Sequence, residues 1–157
     1  MTFRWLVAMA ARRDCLAHAF DSFVGMPEPG EFDSAHYPKG TFDVGGKEGF
    51  RKLMDEHGAD PAYYRLWPGW IPACFIGADA LQFAFVFVDV DVYEPTLAAL
   101  AWAWPRLAPG GILLADDYFP GSKIMAGRAL TEWLPQPGPD ATVLQIENSQ
   151  LLIRKER

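Results

Sequence analysis

The sequence predicts a parallel α/β sheet, and three observations carry that prediction. Apolar runs of strand length alternate with segments of helical period along the whole chain, the pattern of strands joined by right-handed helical crossovers. The run Phe83–Tyr93 (FAFVFVDVDVY) opens with six uncharged residues rich in Phe and Val, which suits a strand buried on both faces. A second run, Gly111–Tyr118 (GILLADDY), has the same plan: an apolar strand that ends in aspartates. Asp89 and Asp91 are two residues apart, so they leave their strand on the same side. Ligands of open α/β sheets sit beyond the carboxyl ends of the strands. If these two strands are parallel neighbours, up to four carboxylates (Asp89, Asp91, Asp116, Asp117) meet at one rim. Their repulsion is relieved by a hard divalent cation with oxygen ligands.

Length and composition set limits. A chain of 157 residues with 50% hydrophobic and 22% charged content is expected to form one globular domain, residues 1–157, with a sizeable core. A net charge of −6 argues against nucleic acid as a partner. No apolar run approaches the ~20 residues that span a bilayer, and the N-terminal segment lacks the order of a signal peptide. The expectation is a cytoplasmic protein without a membrane partner. Cys15 and Cys74 are far apart with no CxxC spacing, and are read as two free buried thiols.

Residues Thr2–Arg13 place Phe3, Leu6, Val7 and Ala10 on one face of a helix, with Thr2 as N-cap and the arginines at the C-terminal dipole. Cys15–Phe20 is a short strand. Residues 24–46, with three prolines and five glycines, form a long loop of the kind that serves as a lid or binding loop. Lys47–His57 has Phe50, Leu53, Met54 and His57 on one helical face, and Gly58 stops it. Ala62–Trp67 is a strand, and residues 71–82 are a turn with a short helix. After the central strand, a helix begins near Pro95, buries Leu97, Leu100 and Trp104, and ends at Pro105 before a Pro109-Gly110-Gly111 turn. A helix over Ser122–Leu134 follows the second aspartate strand. Ala141–Ile146 and Gln150–Arg154 then form an antiparallel hairpin at the sheet edge, around Glu147-Asn148-Ser149.

A single aspartate after a strand commonly caps the next turn or helix. Two strands that each end in an aspartate pair point instead to a shared cation. Asp89, Asp116 and Asp117 are the best-placed ligands, and Asp91 is equally suited to cap the helix near Pro95. Asp21 follows a strand, where an acidic group takes ribose hydroxyls in nucleotide folds; turn chemistry at Phe20-Asp21-Ser22-Phe23 is the competing reading. His18 reads as a core residue, and His57 sits at a helix end. His36 is within reach of a substrate in the loop. Trp67 and Trp70 form either an aromatic wall beside the site or core. There is no GxGxxG, no phosphate-binding Walker motif and no nucleophile elbow. The Asp-x-Asp and Asp-Asp strand ends are similar to motifs of haloacid dehalogenase-type phosphatases. The interval between them is too short for that family's intervening strands, and the first motif lies past the midpoint of the chain.

Four segments occur here in the order found in a known family: FDSFVGMPE (Phe20–Glu28), DVDVYEPT (Asp89–Thr96), WPRLAPGG (Trp104–Gly111) and DDY (Asp116–Tyr118). Through them residues 1–135 resemble the macrocin O-methyltransferases, S-adenosylmethionine-dependent enzymes that methylate sugar hydroxyls in antibiotic biosynthesis. The resemblance implies a Rossmann-like class I methyltransferase fold, Mg2+, and a glycosylated small-molecule acceptor. It implies Asp89, Asp116 and Asp117 as metal ligands, Asp89 also as general base, and Asp21 and Ser22 at the cofactor ribose. Trp70, from the aromatic wall, is a further cofactor-binding candidate. The loop 24–46 would cover the acceptor. In the family, a strand and a Gly-rich turn precede the helix matching Thr2–Arg13. The sheet is therefore expected to lack its first central strand, with a domain incomplete at the N-terminus and an open edge that favours a homo-oligomer. The alternative expectation is a catalytically inactive remnant that acts as a metal-binding or interaction module.

Overall fold

The computed structural model describes residues 2–134, 138–146 and 149–157. They fall into two compact units, Met1–Pro27 with Pro38–Ile76, and Glu28–Tyr37 with Gly77–Arg157.

The first unit packs helix α1 (Phe3–Ala11) and helix α2 (Gly46–Glu56) on a parallel pair of strands, β1 (Ala17–Asp21) and β2 (Tyr64–Pro68). Val7, Met54 and Tyr64 form the buried centre, with Phe3, Ala17, Phe50 and Leu66 around it. The helical faces read from the sequence are the faces that pack, except at His57, which is exposed and sits at the C-cap after the last residue of α2. Two details differ from expectation. Thr2 occupies the N-cap position of α1 without a side-chain cap bond, and the helix ends at Ala11, so the arginines lie past its last turn. Cys15 is exposed, and only Cys74 is buried. Burial pushes the Cys74 thiol up to about 11. Gly58, at φ +69°, ends α2 as expected, with its N–H donating to the Asp55 carbonyl.

The second unit is a four-stranded mixed sheet in the order β3-β4-β6-β5. Its strands are β3 (Phe83–Val88), β4 (Leu107–Ala115), β5 (Ala141–Ile146) and β6 (Gln150–Lys155). Helices α3 (Tyr93–Ala103) and α4 (Met125–Trp133) connect and cover them. β3 and β4 are parallel, and β6 runs antiparallel to both β4 and β5. The predicted hairpin is present, with β5 at the rim; its Glu147 and Asn148 lie outside the described residues. Leu100, Leu107, Leu113, Leu130, Leu151 and Ile153 are fully buried and make the core.

The expected turn at Pro109-Gly110-Gly111 is absorbed into β4. The strand begins at Leu107, and the register slips between Phe83 and Phe85, so the glycines form a bulge rather than a turn. β3 is not buried on both faces. Among the described strands it pairs with β4 alone, and Ala84 and Phe85 are exposed. A strand with one neighbour leaves part of its apolar run open, which periodicity cannot reveal.

Leu113 sits at the middle of β4 with no exposed surface. Leu113→Ala is expected to destabilise the fold by about 2–5 kcal/mol, read as a lowered urea midpoint at unchanged slope.

Candidate functional site

The ends of β3 and β4 coincide. Val88 pairs with Ala115 in the register, and the Asp116 N–H donates to the Val88 carbonyl at 2.9 Å. The next residues of both strands therefore emerge together. Carboxylate oxygens of Asp89, Asp91 and Asp117 lie within 4.8 Å of one another. Asp89 is exposed; Asp91 and Asp117 are half-buried. Asp116 turns its Oδ1 back to accept the Asp117 N–H at 3.0 Å. The structure thus brings together two of the three carboxylates singled out from the sequence, with Asp91 in the place anticipated for Asp116.

Backbone conformation explains that exchange. Asp91 and Asp117 have φ of +62° and +58°, in the left-handed region that aspartate tolerates better than most residues. A left-handed residue breaks the alternation of a strand, so side-chain direction at 91 and 117 no longer follows the period of two. The local electrostatics are severe. The Asp91 carboxyl is raised to about 7, first by burial, then by a hydrogen bond with Asp117 and by the charges of Asp89, Asp117 and Asp116. A closely spaced, all-oxygen donor set, with one carboxyl raised by burial and then by its neighbours, has the chemistry to hold a hard divalent cation.

Asp91 does not cap α3. The N-cap position belongs to Val92, which has no side chain to offer. The cap comes from Asp33, whose Oδ1 accepts the Tyr93 N–H at 2.7 Å across 60 positions of sequence. The Asp33 Oδ2 accepts the Gly30 N–H at 2.9 Å. Around it, the Phe32 carbonyl takes the Met125 N–H at 2.8 Å, and the Arg128 guanidinium lies 3.5 Å from the Phe32 ring centre. Glu132 receives both Arg128 Nε–H and the Tyr93 hydroxyl. None of this was legible locally, because the cap and the helix it caps have no sequence relation.

The long loop is consequently two structures. Its neck belongs to the first unit: Met26 and Thr41 are bonded at 2.8 Å, Gly40 N–H donates to Met26, and Val24 bridges Asp43. Gly25, at φ +83°, would bring a Cβ to 2.5 Å from the Thr41 carbonyl oxygen, so only glycine fits there. Its tip, Glu28–Tyr37, belongs to the second unit. His36 in that tip pairs its Nδ1 with the Ser34 hydroxyl and is exposed.

The cofactor candidates lie in the first unit. Asp21 ends β1, and the Gly69 N–H just after β2 donates to the Asp21 carbonyl at 2.9 Å, so Asp21 and the exposed Trp70 leave the same end of the strand pair. The Asp21 Oδ1 accepts the Phe23 N–H at 2.6 Å, and the Ser22 hydroxyl donates to the Gly25 carbonyl at 2.9 Å. Both side chains therefore do the turn chemistry weighed as the alternative. His18 is half-buried and accepts the Trp67 indole N–H at 2.9 Å; burial and Arg65 hold its pKa below the usual value. Trp67 stacks on Phe20 at 5.4 Å, and Trp70 is exposed.

The alternation of helices with parallel strands, closed by an antiparallel C-terminal hairpin, is the class I, Rossmann-like O-methyltransferase fold. Two solved structures share it: the O-methyltransferase NovP (TM-score 0.80, 23% identity, 98% of this chain and 65% of that one) and the calicheamicin methyltransferase CalS11 (TM-score 0.70, 23% identity, 95% and 66%). The chain belongs to the macrocin-O-methyltransferase (TylF) family, which it matches over residues 1–155. One relative is the 8-demethyl-8-(2,3-dimethoxy-alpha-L-rhamnosyl)-tetracenomycin-C 4'-O-methyltransferase of Streptomyces olivaceus. It is 36% identical over 105 residues, which are 62% of this chain and 40% of that protein. The chain thus spans less than half the length of the curated relatives it matches. Among the described residues no helix is long and apolar enough to cross a membrane.

A carboxyl whose pKa is raised in the folded state binds more protons there than in the unfolded chain. Asp91 should therefore make stability fall as pH rises from about 4, its ordinary range, to about 7. Asp91→Asn should flatten that decline, read from urea midpoints at pH 5.0, 6.0 and 7.5.

Proposed function

We propose that this chain is part of an S-adenosylmethionine-dependent O-methyltransferase that methylates a sugar hydroxyl of a glycosylated natural product, with Mg2+ at the acidic tips of β3 and β4. Family membership supports the methyl donor and the acceptor class. The observation that carries the metal is the approach of three carboxylates, Asp89, Asp91 and Asp117, to within 4.8 Å. These three are the proposed ligands, and Asp116 supports them by holding the Asp117 backbone.

A sugar hydroxyl is a poor nucleophile at neutral pH, and a bound divalent cation supplies the acidification such a group needs. Asp89 is the most exposed of the three and is the proposed general base for the hydroxyl proton. Asp117 and the half-buried Asp91 hold the negative charge that fixes the site. Asp21, Ser22 and Trp70 are the proposed cofactor-binding residues. Ser22 and the Asp21 Oδ1 shape the turn, so the Asp21 Oδ2 is the atom assigned to the ribose. The loop tip, with His36, is the proposed acceptor-facing segment.

Calorimetric titration with S-adenosylmethionine tests the reading. Binding by folded protein, with methyl transfer to a deoxysugar hydroxyl that depends on Mg2+, is the expected result; no heat with or without Mg2+ would overturn it. Mg2+ should raise the thermal midpoint of the wild type, and Asp117→Asn should abolish that rise. An unchanged rise would remove Asp117 from the ligand set.

A further inference from the structure

The acidic cluster is held by a closed ring of bonds that begins in the loop tip. Phe32 and Asp33 are adjacent in sequence. The Phe32 carbonyl accepts the Met125 N–H at 2.8 Å; the next N–H, that of Ala126, donates to the Asp91 carbonyl at 2.8 Å. Two residues past Asp91, the Tyr93 N–H returns to Asp33 Oδ1 at 2.7 Å. Asp91, in its left-handed conformation, is the corner of that ring nearest the cluster. Met125, at φ +54°, is a second strained corner. Strained residues persist where surrounding structure over-determines them. Here the Ala126 bond to the Asp91 carbonyl and the Asp33 cap on the Tyr93 N–H fix the chain on either side of Val92, directly after Asp91. The cap itself is a charge-assisted bond at a helix N-terminus, where a carboxylate also meets the favourable end of the helix dipole.

We propose that Asp33 is a positioning residue for the acidic cluster: by capping α3 from the loop tip, it holds Asp91 in the conformation that turns its carboxylate toward Asp89 and Asp117. Docking of the loop tip and assembly of the cation-binding geometry are then one event. This rests on the reading of the cluster as a divalent-cation site. Arg128 serves the same end, since its guanidinium lies over both Phe32 and Tyr93, at 3.5 and 5.2 Å from the ring centres.

The test is Mg2+ titration by calorimetry on the whole chain, with urea unfolding measured in parallel. Groups that orient metal ligands without touching the ion typically change affinity by about 10–100-fold when removed. Asp33→Ala should weaken Mg2+ about 10-fold. Asp33→Asn, whose amide oxygen still accepts the Tyr93 N–H although the Gly30 bond is lost, should recover most of the affinity that Asp33→Ala loses. That rescue separates positioning from general destabilisation. If Asp33→Ala does not fold, Arg128→Met, which releases the loop tip without touching the cap, should weaken Mg2+ several-fold in the same titration. Wild-type binding by folded Asp33→Ala, or by Arg128→Met where Asp33→Ala does not fold, would overturn the positioning role and leave the cation site standing. Absence of Mg2+ binding by the wild type would remove the cation site, and the positioning role with it.

Discussion

Carboxylates brought within 4.8 Å of one another repel, and unit two is built to keep them there against that repulsion. Asp89 and Asp91 follow β3; Asp116 and Asp117 follow β4. The parallel pairing of Val88 with Ala115 makes both pairs emerge at one level. The fold does not avoid the cost. It concentrates the cost on one side chain, Asp91, whose carboxyl is raised to about 7 while it is half-buried among the others. A proton on Asp91 relieves part of that repulsion.

The backbone around the cluster is equally specialised. Left-handed residues at 91, 117 and 125 depart from strand and helix geometry within a few positions of one another in space-linked segments. Each such residue is costly on its own, more for Met125 than for the aspartates. Hydrogen bonds accepted by the Phe32 and Asp91 carbonyls and by the Asp33 and Asp116 carboxylates supply the constraint that keeps them so. α3 is the clearest case, because Val92 at its N-cap position has no polar group and a residue 60 positions away takes over.

The order of strands and helices was legible because burial imposes periodicity. Phe83–Val88 and Gly111–Ala115 announce strands by composition, and Met54 and Leu100 mark buried helical faces, as found. The acidic rim was legible too, since both strand ends carry their aspartates in sequence. Which three converge was not: strand alternation assigns direction only while the residue stays in the β region, and Asp91 and Asp117 leave it. The Pro109-Gly110-Gly111 segment carries every mark of a turn, yet pairing on both flanks draws it into β4 as a bulge. Asp33 looked like one polar loop residue among several. Its role is defined by a partner that no local signal names. The Asp21 Oδ1 and the Ser22 hydroxyl both bond the turn around Phe23, which has φ +57°, the competing reading that the sequence left open.

The polypeptide passes between the two units three times, at 27/28, 37/38 and 76/77. A single protease nick inside 28–37 would therefore not divide the protein along its natural seam. It would leave α1 and β1 on a short N-terminal fragment, still tied by the parallel ladder to β2, by the side chains packed around Val7, and by the neck bonds of Phe23, Val24 and Met26 to residues 40–46. The two fragments would co-purify until denatured. The same arrangement makes the loop a workable split point for reconstituting the fold from two separately produced pieces.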